Sequence, residues 1–131
     1  MFCTTLQESI LLIVVEKQPY TWEQSQLNQW EVETQGKVSN MISFTGYDKL
    51  GGSLGLCTRY TNNSFKIQLS ERIENSYIAS KSVLWHEYCH AWDYMVNGHM
   101  GHSMSFLKLW FSKPIYVLQM FYDAIMFIIG R

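Results

Sequence analysis

The sequence predicts an α+β fold: a small antiparallel three-stranded sheet packed on one long helix, with further helices before and after it. Three observations carry this. Short apolar–polar alternations cluster between residues 38 and 70. The stretch from Glu74 to Gly98 keeps apolar residues at helical spacing, with no Gly or Pro before its end. Helix-start signals recur on both sides of these regions.

The elements follow in order. Thr5-Leu6-Gln7-Glu8 fits a capping box and predicts a helix over Leu6–Lys17, which Pro19 ends. The β-branched run Ile13–Val15 leaves a buried strand as the alternative there. Thr21-Trp22-Glu23-Gln24 is a second capping box and predicts a helix from Trp22 to about Val32, ending before Gly36. Its end, WEVET, also alternates as a strand would. Val38–Phe44, Gly55–Tyr60 and Ser64–Ser70 read as three strands, the last two joined across the turn TNN. The long helix follows, closed by Asn97-Gly98. Ser103 caps a helix through about Phe111, and Pro114 opens a last one at its first helical position.

At 131 residues, 47% hydrophobic and 16% charged, the chain fits one globular domain over residues 1–131. Its net charge of -1 lacks the basic excess of a domain that grips phosphates, and no Lys/Arg run is visible. Nucleic acid is therefore a partner the charge does not support. Cys3, Cys57 and Cys89 are odd in number and widely spaced, without C-x-x-C. They read as reduced thiols rather than a disulfide framework or a zinc ribbon. The apolar run Ile10–Val15 is short, preceded by Gln and Glu, and followed by no small-residue cleavage site, so no signal peptide is expected. A cytoplasmic protein is the expectation, in the host cytoplasm for a phage-encoded chain.

The tail Ile115–Ile129 is almost wholly apolar, interrupted by Asp123. As a helix it spans about 22 Å, short of the roughly 30 Å hydrocarbon core. It reads as a buried helix or an oligomer contact, with peripheral membrane contact as the alternative.

All four histidines, His86, His90, His99 and His102, lie within HEYCHAWDYMVNGHMGH. In H-E-x-x-H on a helix, His86 and His90 stand one turn apart on one face, and Glu87 sits about 100° around. Two such imidazoles can bind one zinc, which with a third protein ligand keeps a water in its fourth position. The metal lowers that water's pKa towards about 7. Glu87 is then placed to act as general base and to pass the proton to a leaving amine.

The third ligand is open on spacing alone. Eight residues separate His90 from His99 and eleven separate it from His102. Neither matches the five of H-E-x-x-H-x-x-G-x-x-H. His102 directly precedes the helix start at Ser103, which anchors its backbone, whereas His99 lies among Gly98, Met100 and Gly101. That favours His102. His99 reads as an exposed turn residue, with a donor to the oxyanion as the alternative. Trp85, Tyr88, Trp92 and Met95 read as core, and Cys89 as a buried inert thiol. Asp93 reads as a solvated surface acid, with a ligand-orienting carboxylate as the alternative.

Taken together, GLCTRYTNNSFKIQLS, VLWHEYCHAWDYM and GHSMSF resemble the SprT-like metallopeptidases, the family that includes Spartan, over roughly Leu50 to Trp110. The resemblance implies a zincin-like fold built on an HExxH active-site helix. It implies His86, His90 and His102 as Zn2+ ligands, Glu87 as catalytic base, and Phe106 as the aromatic residue after the third ligand. Ser103 stands where the family pattern has glycine, and no Cys follows Cys89 to form the zinc ribbon that many members carry. The expected activity is that of a zinc metalloendopeptidase acting on a protein or peptide substrate. One alternative is a non-catalytic zinc-stabilised binding module, against which Glu87 argues, since a structural site needs no base. The other is a DNA-associated protease of Spartan type, against which the near-neutral charge argues.

Overall fold

The computed structural model of the protein describes residues 21–36, 39 and 41–129, so the helix expected over Leu6–Lys17 lies outside the described residues. The fold is α+β, with four helices and a three-stranded sheet among those residues. In chain order the elements are α1 (Thr21–Gln35), β1 (Ile42–Asp48), β2 (Gly55–Arg59), β3 (Phe65–Ser70), a 3-10 turn (Glu71–Ile73), α2 (Tyr77–Asn97), α3 (Met104–Phe111) and α4 (Pro114–Ile129). WEVET is the end of α1 and not a strand.

The sheet is mixed, which corrects the expectation of an all-antiparallel one. Its order is β1-β3-β2. β3 pairs antiparallel with β2 and parallel with β1. The tight turn between Tyr60 and Ser64, closed by a 2.9 Å backbone bond, forces β2 and β3 to run oppositely. No turn constrains β1 against β3. The loop 49–54 carries the chain to the far side of β3, so β1 and β3 run the same way. β3 takes the centre because Phe65, Ile67 and Leu69 are fully buried.

β1 starts four residues later than the sequence predicts and runs through Gly46 instead of stopping near it. The register shifts between Phe44 and Gly46, where Gly46 adopts φ 135°. A residue without a Cβ accepts that conformation and lets the ladder resume at Tyr47.

The outer edge of β1 is covered from α1. The Gln24 side chain donates to the Ile42 carbonyl at 3.0 Å and accepts from the Phe44 amide at 2.9 Å, as a neighbouring strand would. That leaves β2 as the edge without such a cover among the described residues.

α2 begins at Ser76, whose hydroxyl accepts from the Ala79 amide, and ends at Gly98 with φ 77°. Its apolar face packs on α1: Trp30 meets Trp85 edge-on at 5.0 Å, and the Tyr88 hydroxyl lies 2.5 Å from Thr34 Oγ1. Two buried acids of α1 each have one carboxylate oxygen held, Glu23 Oε2 by the Tyr47 hydroxyl and Glu31 Oε2 by the Ser39 hydroxyl, both at 2.6 Å.

α4 also packs on α2, but it is not the buried helix the composition predicts. Only Val117 is buried, whereas Ile115, Leu118, Phe121, Ile125 and Ile128 are each more than half exposed. No helix among the described residues is long and apolar enough to cross a membrane.

Candidate metal centre

His86 and His90 project from the middle of α2, one turn apart, with ring centroids 4.9 Å apart. His102 comes back to them from the turn after Gly98, its ring 5.4 Å from His86 and 4.9 Å from His90. One nitrogen from each of the three lies within 4.8 Å of the others, so the trio can hold a metal ion.

The donor chemistry fits a metal. Burial, together with the positive charge of the neighbouring rings, pushes His86 down to about 3; burial and His102 push His90 down to about 4. Both rings are therefore neutral near pH 7, with lone pairs to give. The Nδ1 atoms of His86 and His90 are buried without a hydrogen-bond partner.

The three rings rest on aromatic ground. Phe106, in the first turn of α3, stacks on His90 at 4.3 Å and 20° and contacts His102 at 4.9 Å. Trp110, one turn further, stands edge-on to His86 at 4.7 Å. The carbonyl of Trp110 accepts from the Trp85 indole at 3.2 Å, which ties the end of α3 to α2. Phe106 carried a signal in the sequence. Trp110 is the residue that sequence reasoning missed, although its i+4 spacing from Phe106 marks the same helix face.

Glu87 is 6% exposed, and burial pushes its carboxyl up to about 8. It lies against the start of β2. A Cβ built on Gly55 would meet Glu87 Oε2 at 2.9 Å and Glu87 Cγ at 3.0 Å. Further along β2, Cys57 feels the same carboxylate: burial and then Glu87 push its thiol up to about 12. Glu87 is thus buried between α2 and the first residues of β2, one position after His86 in the chain.

Asp93 is fully buried, which corrects its reading as a surface acid. It accepts from Ser103 Oγ at 2.5 Å, from Ser105 Oγ, and from the Asn97 amide at 2.9 Å. Burial opposes its charge, but these donors and then His99 outweigh burial and hold the carboxyl below its usual range. The donors lie four to twelve residues away, so the residue type alone did not reveal the burial. His99 is exposed, 3.8 Å from Asp93 Oδ2, and stands outside the trio. Trp85 and Tyr88 are core, and Cys89 is a fully buried free thiol.

The SprT-like family model matches residues 23–113, which cover the elements above except the first two residues of α1 and all of α4. No curated protein and no solved structure matches the chain.

Proposed function

The chain belongs to the SprT-like family, and from that premise we propose that it is a zinc metallopeptidase of zincin type, a single catalytic domain that hydrolyses peptide bonds in protein substrates. One observation carries the reading: three imidazoles converge, and Glu87, on the same helix as His86 and His90, is buried without being part of the trio. A purely structural metal site has no need of a carboxylate in that place.

His86, His90 and His102 would hold the zinc, and when bound it would acidify a water and polarise the scissile carbonyl. The rest falls to the chain's own residues. Glu87 accepts a proton from the attacking water as the new C–O bond forms, then delivers it to the amine nitrogen as the C–N bond breaks. A cation at the trio opposes the upward shift that burial gives Glu87, which favours the ionised form needed to accept. Burial keeps the carboxylate out of bulk water, where its basicity would be lower. The substrate has a natural berth on β2. An extended peptide added to that edge would bond main chain to main chain and run past Glu87.

The test is metal dependence. Purified protein should cleave an unfolded protein such as casein, lose that activity on zinc chelation, and regain it with one equivalent of zinc. Cleavage that persists in the stripped protein would overturn the assignment.

A further inference from the structure

We propose that Asp93 is a positioning residue for the metal centre, pinning the turn and helix start that carry His102 into register with His86 and His90. The inference rests on the metal-site reading above and goes beyond its ligands.

His86 and His90 need no such device. Both sit in the interior of α2, where helix geometry sets their spacing. His102 is different. It is exposed and follows a turn opened by Gly98, so its own packing does little to fix it. Ordering a free ligand on binding would weaken the site.

Asp93 lies one turn beyond His90 on the same helix. Its two carboxylate oxygens reach both ends of the segment 97–105. Oδ1 takes the Asn97 amide at the end of α2 and the Ser105 hydroxyl in the first turn of α3. Oδ2 takes the hydroxyl of Ser103, the residue directly after His102. Ser103 is at the same time the N-cap of α3, accepting from the Phe106 amide at 3.2 Å. One buried carboxylate therefore sets where α3 begins. Through that start it sets the backbone of His102 and the ring of Phe106, which lies against His90 and His102. Charge-assisted bonds of this kind are about twice as strong as neutral ones. They also leave the carboxylate no low-energy alternative once it is buried.

The experiment measures zinc affinity by chelator competition, and the visible absorption of the cobalt-substituted protein, in the wild type, Asp93→Ala, Asp93→Asn and Ser105→Ala. Asp93→Ala should weaken zinc binding by roughly 10- to 100-fold, the range for losing an outer partner of a ligand. Its cobalt bands should fade towards those of a site that has lost one nitrogen. Asp93→Asn keeps one acceptor oxygen and should recover part of both signals. Ser105→Ala removes one tether and the 3.0 Å contact between the Ser105 and Ser103 hydroxyls, keeps the bonds of Ser103 to Asp93 and to the Phe106 amide, and gives the answer should Asp93→Ala fail to fold. A merely structural Asp93 would lower the melting temperature of the metal-free protein but leave affinity and cobalt spectrum at wild-type values in the folded variants, and that result overturns the proposal. A wild type that binds neither metal overturns the metal-site reading itself, and this inference with it.

Discussion

Gly55 and Glu87 touch across the junction of β2 and α2: a Cβ on Gly55 would stand 2.9 Å from the Glu87 carboxylate and 2.6 Å from Val83 Cγ1. Both atoms belong to a helix wall that is itself packed, so neither can retreat freely. Gly55→Ala should therefore push β2 off the helix and disturb the base, at a cost of about 1–3 kcal/mol in stability. Thermal melts and peptidase rates of the variant check this. A variant as stable and as active as the wild type would show that the strand does not press on Glu87.

The choice between the two turn histidines is next. His102→Ala should lose more zinc affinity than the roughly 10- to 100-fold typical of an outer partner, because it removes one of the three converging nitrogens. His99→Ala should stay close to the wild type, since His99 is exposed and its ring stands 3.8 Å from Asp93, outside the trio. Zinc titration of both variants decides it, and the reverse pattern would place the ligand at His99.

Metal-free protein should be most stable near pH 6.5. Burial lowers His86 to about 3 and His90 to about 4 from 6.5, and raises Glu87 to about 8 from 4.5. Between pH 4.5 and 6.5 the unfolded chain binds more protons at the two histidines than it forgoes at Glu87, so stability rises with pH. Well above pH 6.5 the histidines are neutral in both states. Only Glu87 then differs, the folded state holds the extra proton, and stability falls towards pH 8. Melting temperatures in chelator across this range should trace that peak. Glu87→Gln should flatten the alkaline side and steepen the rise between pH 4.5 and 6.5. A wild type that keeps gaining stability through pH 8 would contradict a proton held on Glu87.

The two faces of α4 should answer differently to charge. Val117 is buried against α2, and Val117→Asp places an unpaired carboxylate there, which should unfold the protein or lower its melting point sharply. Leu118 is 65% exposed, and Leu118→Glu should change stability by no more than about 0.5 kcal/mol. Equal damage from both would mean that the outer face of α4 is covered in solution.

Much of the site is legible in the sequence. The H-E-x-x-H spacing on an uninterrupted helical pattern locates His86, Glu87 and His90, because helix geometry alone relates them. Ser103, Gly98 and Pro114 mark element ends through local backbone chemistry, and each stands at the end it predicts. The features that escape such a reading depend on distant partners. The parallel pairing of β1 with β3 joins segments more than twenty residues apart and has no turn to announce it. The burial of Asp93 depends on Ser103 and Ser105 folding back over it. The exposure of α4 is a matter of how much surface α2 has left to offer, which composition does not encode.

In the proposed mechanism Glu87 moves the proton while the three histidines hold the metal, and Glu87→Gln separates the two roles. Zinc content and cleavage rate, measured together on the wild type and this variant, test it most directly. Both proteins should carry one zinc per chain, and Glu87→Gln should lose peptidase activity by at least about 100-fold, the low end for removing a general base. Equal turnover by the two proteins would contradict the mechanism, and loss of zinc from the variant would make Glu87 a ligand instead of a base.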